Sequence, residues 1–262
     1  MMTTIKNWSF SSLMVFESCK YRARLERVDR IPDNTPRPNA DRGSQIHQEA
    51  EDYVRGKAPF THNLRFFQDD FNALKRHYDA GRVVCEEEWG FDSNWSPAEW
   101  KSAWLRLKCD AVVHLDSTHL AVIDYKTGKR FGNEIKHAEQ LQLYALCSLL
   151  RYPEVEQVTC ELWYLDQNEL ASFVMKRKQL SRYLQLFDKR GVAMTTETQF
   201  KPNPNIISCK YCPYGPDRQG DCKFGVRQDG SKAQTVKVEE LQLNKKALKS
   251  DALFDAKDLE GL

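Results

Sequence analysis

The chain has 262 residues, 41% of them hydrophobic, enough for one large domain, or a domain with an appendage, around a buried core. Its 39 lysines and arginines are nearly balanced by 37 acids, so overall charge offers no argument for nucleic-acid binding and any basic groove must be local. No run reaches the roughly 18–20 apolar residues of a membrane span and the first ten residues lack a signal-peptide pattern, so a cytoplasmic enzyme with its eight cysteines reduced or metal-bound is expected.

Ser9, Ser11 and Ser12 signal a helix start, and Leu13, Phe16, Tyr21 and Leu25 follow at near-helical spacing, which predicts one helix over 8–29 carrying Cys19. Three prolines and two asparagines predict a loop over 31–40. A second helix follows over about 41–55, with Ile46, Ala50, Tyr53 and Val54 on its apolar face and His47 beside them. Phe67, Phe71, Leu74 and Tyr78 mark a third helix over 64–80.

The pattern then changes to period two. Residues 83–91, 104–115 and 120–125 read as strands, the last two joined by Asp116-Ser117-Thr118 into an antiparallel hairpin. A helix over 134–152, closed by Pro153, a strand over 158–165 and a helix over 181–194 complete the series. This order predicts an α/β fold, a mixed central sheet flanked by helices, over 1–200. The Pro-, Gly- and Cys-rich stretch 201–225 reads as an appendage. Residues 226–262 read as a tail with a short helix around 238–249 and a flexible or partner-binding end.

The hairpin carries the chemistry. Residues two apart on a strand share a face, so Asp124 and Lys126 point together while Tyr125 points away, and Asp110 on the preceding strand comes beside Asp124. Two adjacent carboxylates repel unless one is protonated or a divalent cation lies between them. Such an ion acidifies water and neutralises phosphoryl charge while a lysine positions the nucleophile, a constellation suited to phosphodiester hydrolysis. By itself an Asp-x-Lys is also an ordinary surface ion pair. Glu86, Glu87 and Glu88 are either an assisting acid for this site or a solvated acidic face.

Taken together, Ser9-Phe10-Ser11-Ser12-Leu13 with Phe16 and Cys19, Gly43-x-x-x-His47, Asp110, Asp124-Tyr125-Lys126-Thr127-Gly128 and Gln140-x-x-x-Tyr144 resemble the RecB-like branch of the PD-(D/E)XK nucleases. That branch includes helicase-associated nuclease domains, phage exonucleases and CRISPR-adaptation nucleases with iron–sulfur clusters. The resemblance implies a restriction-endonuclease-like fold and a metal-dependent deoxyribonuclease, an exonuclease of recombination or end processing, with a phage origin among the candidates. His47, Asp110, Asp124 and the Tyr125 carbonyl would hold Mg2+ or Mn2+. Lys126 would position water, and Gln140 and Tyr144, four apart on one helix face, would orient the substrate. The glycine that this branch often has before the first aspartate is missing from Trp104-Leu105-Arg106-Leu107-Lys108-Cys109-Asp110.

Cluster-bearing members of the branch use one early cysteine and three late ones, and Cys19 with Cys209, Cys212 and Cys222 supplies that count for a [4Fe–4S] centre, with Zn2+ as the alternative. Cys85, Cys109, Cys147 and Cys160 read as core. Lys129 and Arg130 follow the acidic hairpin and are expected on phosphates. Trp95, Trp100 and Trp104 interleave with Lys101, Arg106 and Lys108, as either a stacking wall for single-stranded DNA or core and lid packing. DNA is the expected partner, with a recombinase, single-strand-binding protein or helicase, or further copies of the chain, as candidate protein partners. Two rival readings are a catalytically silent DNA-binding scaffold of the same fold and a zinc-stapled interaction module.

Overall fold

Which helices cover which face of the sheet follows from the strand alternation. The computed structural model describes residues 4–33, 35–36, 38–128, 130–218, 220 and 222–232. Six strands, β1 (Val83–Phe91), β2 (Pro97–Ala98), β3 (Leu105–His114), β4 (His119–Lys126), β5 (Gln157–Tyr164) and β6 (Glu169–Lys176), form one sheet in the order β2-β1-β3-β4-β5-β6. All neighbours are antiparallel except β4 and β5. That parallel pair needs a long crossover, and the helix Glu134–Arg151 supplies it.

Along β4, Leu120 and Val122 join one core cluster while Ala121, Ile123 and Tyr125 join the other, so both faces of this central strand are dry. The first cluster takes its helical side chains from α1 (Phe10–Ser18), α5 (Glu134–Arg151) and α6 (Leu180–Thr195), with Leu13, Leu146 and Phe187 at its centre. The second draws on α3 (Pro38–Val54) and α4 (Gln68–Asp79), where Phe71 meets Tyr125 and Trp163 at ring separations of 5.3 and 5.2 Å. Truncating Phe71 to alanine would cost on the order of 3–5 kcal/mol in lost transfer and cavity energy. The expected mixed sheet flanked by helices is therefore the fold of residues Met1–Lys201, the first of two compact units.

Several elements differ from expectation. The single helix over 8–29 is broken at Cys19, which is extended (φ −156°, ψ 107°): its N–H closes α1 on the Val15 carbonyl, and α2 (Lys20–Arg27) begins directly after it. The third helix starts as a 3-10 turn over His62–Phe67 before α4. β6 has no clear apolar alternation because it is an edge strand on which Met175 alone is fully buried. It folds back along β5 through a turn in which Asn168 adopts φ +51°.

Among the described residues of the second unit, Pro202–Leu262, one short helix, α7 (Ile206–Lys210), is capped by the Asn205 side chain on the Ser208 N–H at 2.8 Å. Turns follow: Cys212 N–H bonds to the Cys209 carbonyl, and Cys222 N–H to that of Tyr214. The helix expected over 238–249 lies outside the described residues. No helix among the described residues is long and apolar enough to cross a membrane.

Candidate active site

The sheet reverses its sense where the acids converge. On β3, Leu105, Leu107 and Cys109 belong to the cluster under α5, whereas Ala111 and Val113 belong to the one under α3. On β1, Trp89 and Phe91 lie on the first side and Val83 and Cys85 on the second. Both strands switch faces at one level, where the ladder steps from Cys85↔Ala111 to Glu87↔Cys109 past Glu86 and Asp110. Glu86 makes the switch with φ +58°, a left-handed conformation costing on the order of 1–3 kcal/mol in a non-glycine residue and concentrated at functional sites.

β3 and β4 also part here. Their pairing runs from His114↔Leu120 to Ala111↔Ile123 and stops. Beyond it, the Tyr125 N–H donates to Asp110 Oδ2 at 2.6 Å, and His47 Nδ1 lies 3.1 Å from Asp110 Oδ1. His47 arrives on α3, whose approach depends on Gly43: a methyl there would come within 3.0 Å of the Thr127 hydroxyl at the end of β4. The Gly43-x-x-x-His47 spacing thus lets a helix pack close and then presents an imidazole one turn later.

Asp124 is anchored from the other face. Its Oδ1 accepts Gln140 Nε2 at 3.0 Å and Tyr144 Oη at 2.9 Å, the two side chains lying one turn apart on α5. Gln140 also donates to the Tyr144 oxygen at 3.0 Å. Asp124 Oδ2 is buried without a hydrogen bond, though the Lys126 ammonium lies 2.6 Å away as an ion pair lacking hydrogen-bond geometry. One oxygen is therefore fixed by the protein and the other faces only a cation. Gln140 and Tyr144, which sequence reasoning gave to the substrate, hold the carboxylate and line the adjoining cavity as well.

Electrostatics mark the same point. Burial, and then the charge of Asp124, raise the Asp110 carboxyl above its ordinary range despite the opposing His47. Burial alone would lower the His47 pKa, but its bond to Asp110 and the Asp110 charge more than offset that and leave it raised. Among the described residues, His47, Glu86 and Asp110 offer ligand atoms all within 4.8 Å of one another. Glu86 is the functional candidate that sequence reasoning left among three acids. Its neighbours Glu87 and Glu88 are not in this group, and Lys108 forms an ion pair with Glu86. Two carboxylates and one imidazole offered this close together fit a hard divalent cation.

Other expectations fare differently. Trp95 and Trp104 pack with Trp8 as an edge-to-face trio, at ring separations of 6.2, 5.3 and 5.6 Å, and are core rather than a stacking wall. Trp100 lines a cavity, under Arg106. Arg130 is turned to Glu169 at 3.0 Å, and Lys129 lies outside the described residues. Cys85, Cys109, Cys147 and Cys160 are buried as expected. Cys19 ends α1 in the first unit. Within the second, Gly215 packs against the turn that carries Cys209 and Cys212, where a Cβ would lie 2.5 Å from the Cys209 carbonyl oxygen.

The family profile of the PD-(D/E)XK nuclease superfamily matches residues 7–216. The chain belongs to the PD-(D/E)XK nuclease superfamily, a class of metal-dependent nucleases. Among solved structures it is similar to "Crystal structure of SSO0001", with 14% identity, 82% of this chain and 86% of that chain covered, and a TM-score of 0.37. No curated protein matches it.

Proposed function

We propose that the protein is a divalent-metal-dependent deoxyribonuclease of the RecB-like branch, acting as an exonuclease in recombination or DNA end processing. The observation carrying this reading is the parting of β3 and β4, which leaves Asp110, Asp124 and Lys126 together at one buried point with His47. Asp110, Asp124, His47 and Glu86, with the Tyr125 carbonyl, are the proposed holders of Mg2+ or Mn2+. When bound, such an ion supplies Lewis acidity toward a phosphoryl oxygen and lowers the pKa of water.

The chain's own residues do the rest. Lys126 leaves Asp124 to hydrogen-bond the attacking water, whose oxygen bonds to phosphorus as the P–O bond to the leaving oxygen breaks; the water gives up one proton to solvent, and the leaving oxygen takes one up from solvent. Gln140 and Tyr144 keep Asp124 in one rotamer and exclude bulk water from its buried side. Cys19, Cys209, Cys212 and Cys222 are the proposed ligands of a [4Fe–4S] cluster, with zinc as the alternative. Metal analysis and the visible absorbance of anaerobically purified protein distinguish the two.

The test is end-labelled single- and double-stranded DNA incubated with Mn2+, Mg2+ or chelator, comparing wild type with Asp124→Ala and Lys126→Ala. Metal-dependent loss of nucleotides from an end, abolished in both variants, is expected. Absence of cleavage by folded, metal-loaded wild type would replace the reading with a DNA-binding scaffold.

A further inference from the structure

A protein of nearly balanced charge gathers cations in one trench. A cavity of about 500 Å³ beside the acids is lined by Arg27, Arg106, Lys108, Lys126 and Lys136, five basic residues with no Asp or Glu. Lys108 also lines the cavity on the His47–Glu86–Asp110 side, and Arg27 and Arg106 also line the next one along. The first two cavities thus adjoin at Lys108 and the first and third at Arg27 and Arg106, all within the first unit.

The cations divide by what they touch. Lys108 and Lys126 are spoken for by Glu86 and Asp124. Among the described residues, Arg27 and Lys136 form no ion pair, although acids are as common as bases in the chain. Lys136 faces the same cavity as Lys126, and partial desolvation together with the Lys126 charge holds its ammonium below the ordinary lysine range. The Lys136 ammonium and the Arg27 guanidinium, lining one space without a carboxylate partner, call for an anion with more than one charge along its length. Arg106 lies 5.5 Å over the Trp100 ring and donates to the Lys101 carbonyl at 2.8 Å, which presents a flat, fixed surface at the wall.

We propose that this trench binds one strand of DNA, with its phosphates on Lys136, Arg27 and Arg106 and a base against Trp100, and so delivers a single-stranded end to the acids. The inference rests on the nuclease reading for its catalytic consequence but not for binding. Tyr144 and Gln140 lie in the lining of this recess of about 500 Å³, which is large enough for part of one strand. Alternating phosphate contacts and stacking planes are the general chemistry of sequence-tolerant single-strand binding.

The experiment measures binding of a fluorescent oligothymidylate and of a blunt duplex by the full-length protein in chelator, where cleavage cannot occur. Wild type is compared with Arg27→Ala/Lys136→Ala, Trp100→Ala and, as a control on a distant exposed charge, Lys178→Ala. The double variant is expected to weaken single-strand binding by at least about tenfold and to flatten the salt dependence by about 0.7 in log–log slope per lost contact. Trp100→Ala is expected to weaken it roughly tenfold without changing that slope, while Lys178→Ala binds as wild type does. Unchanged affinity and slope in the double variant with native thermal melting would overturn the trench, as would equal losses on blunt duplex. Cleavage by wild type in Mn2+ is scored separately, so a protein that binds through the trench but never cuts refutes the nuclease reading alone.

Discussion

Asp110 accepts the Tyr125 backbone N–H at 2.6 Å, so a carboxylate takes the place that a ladder carbonyl would occupy if β3 and β4 stayed paired. The acid is then both a structural acceptor and a buried charge beside Asp124. Its raised pKa means that the native state binds protons more readily than the unfolded chain, so ionised Asp110 opposes folding as pH rises through its folded pKa. Asp110→Asn keeps an acceptor for Tyr125 and removes the charge. In chelator this variant is expected to melt at or above the wild-type temperature while losing metal-dependent cleavage. A clear drop in melting temperature would show that the charge supports the fold rather than the chemistry.

Tyr144→Phe isolates the hydroxyl. The ring stays in the core, Gln140 still reaches Asp124 Oδ1, and only the 2.9 Å bond from Tyr144 Oη is lost. Groups that orient a ligand from behind typically change metal affinity or activity by roughly 10- to 100-fold. The expected signature is a rise of that size in the Mn2+ concentration giving half-maximal rate, with much of the rate recovered at saturating metal. A loss of rate independent of metal concentration would argue that the hydroxyl acts on the substrate itself.

His137 faces the same cavity with Nδ1 2.6 Å from the Tyr164 hydroxyl, and burial, followed by the charges of Lys126 and Lys136, lowers its pKa to about 4. Its ordinary value is 6.5, so between the two the unfolded chain takes up a proton that the native protein does not. Stability should therefore fall as pH drops through that window. Denaturant titrations across this range should show a shallower decline in His137→Gln than in wild type. Imidazole proton resonances should show the His137 ring neutral where an ordinary histidine is half charged.

Much of this architecture is written in local patterns. The β4 sequence Val122-Ile123-Asp124-Tyr125-Lys126 dictates a strand buried on both faces that ends in a charged pair, and the Gln140/Tyr144 spacing dictates one helix face. What could not be read is the reversal at Glu86 and Asp110. Alternation along 105–109 predicts a regular strand, and nothing in Cys85-Glu86-Glu87-Glu88 singles out the residue that adopts a left-handed backbone. That choice follows from β1 and β3 having to serve two different helical layers at their two ends, a tertiary demand without local signature. Cys19 is similar: its helix break lies within continuous helical periodicity.

Glu86 separates backbone from charge. Its φ of +58° suits glycine, so Glu86→Gly relieves a strain worth roughly 1–2 kcal/mol, partly offset by about 0.5–1 kcal/mol of extra chain entropy in the unfolded state. The lost ion pair with half-exposed Lys108 contributes little against these. Glu86→Gly should then unfold within about 1 kcal/mol of wild type, whereas Glu86→Val, branched at Cβ, should be clearly less stable. If the carboxylate grouped with His47 and Asp110 holds the ion, Glu86→Gly and Glu86→Gln should both bind Mn2+ more weakly by calorimetry despite their different backbones. Wild-type Mn2+ affinity in Glu86→Gly would remove Glu86 from the ligand set and leave it as a hinge that aims Asp110 alone.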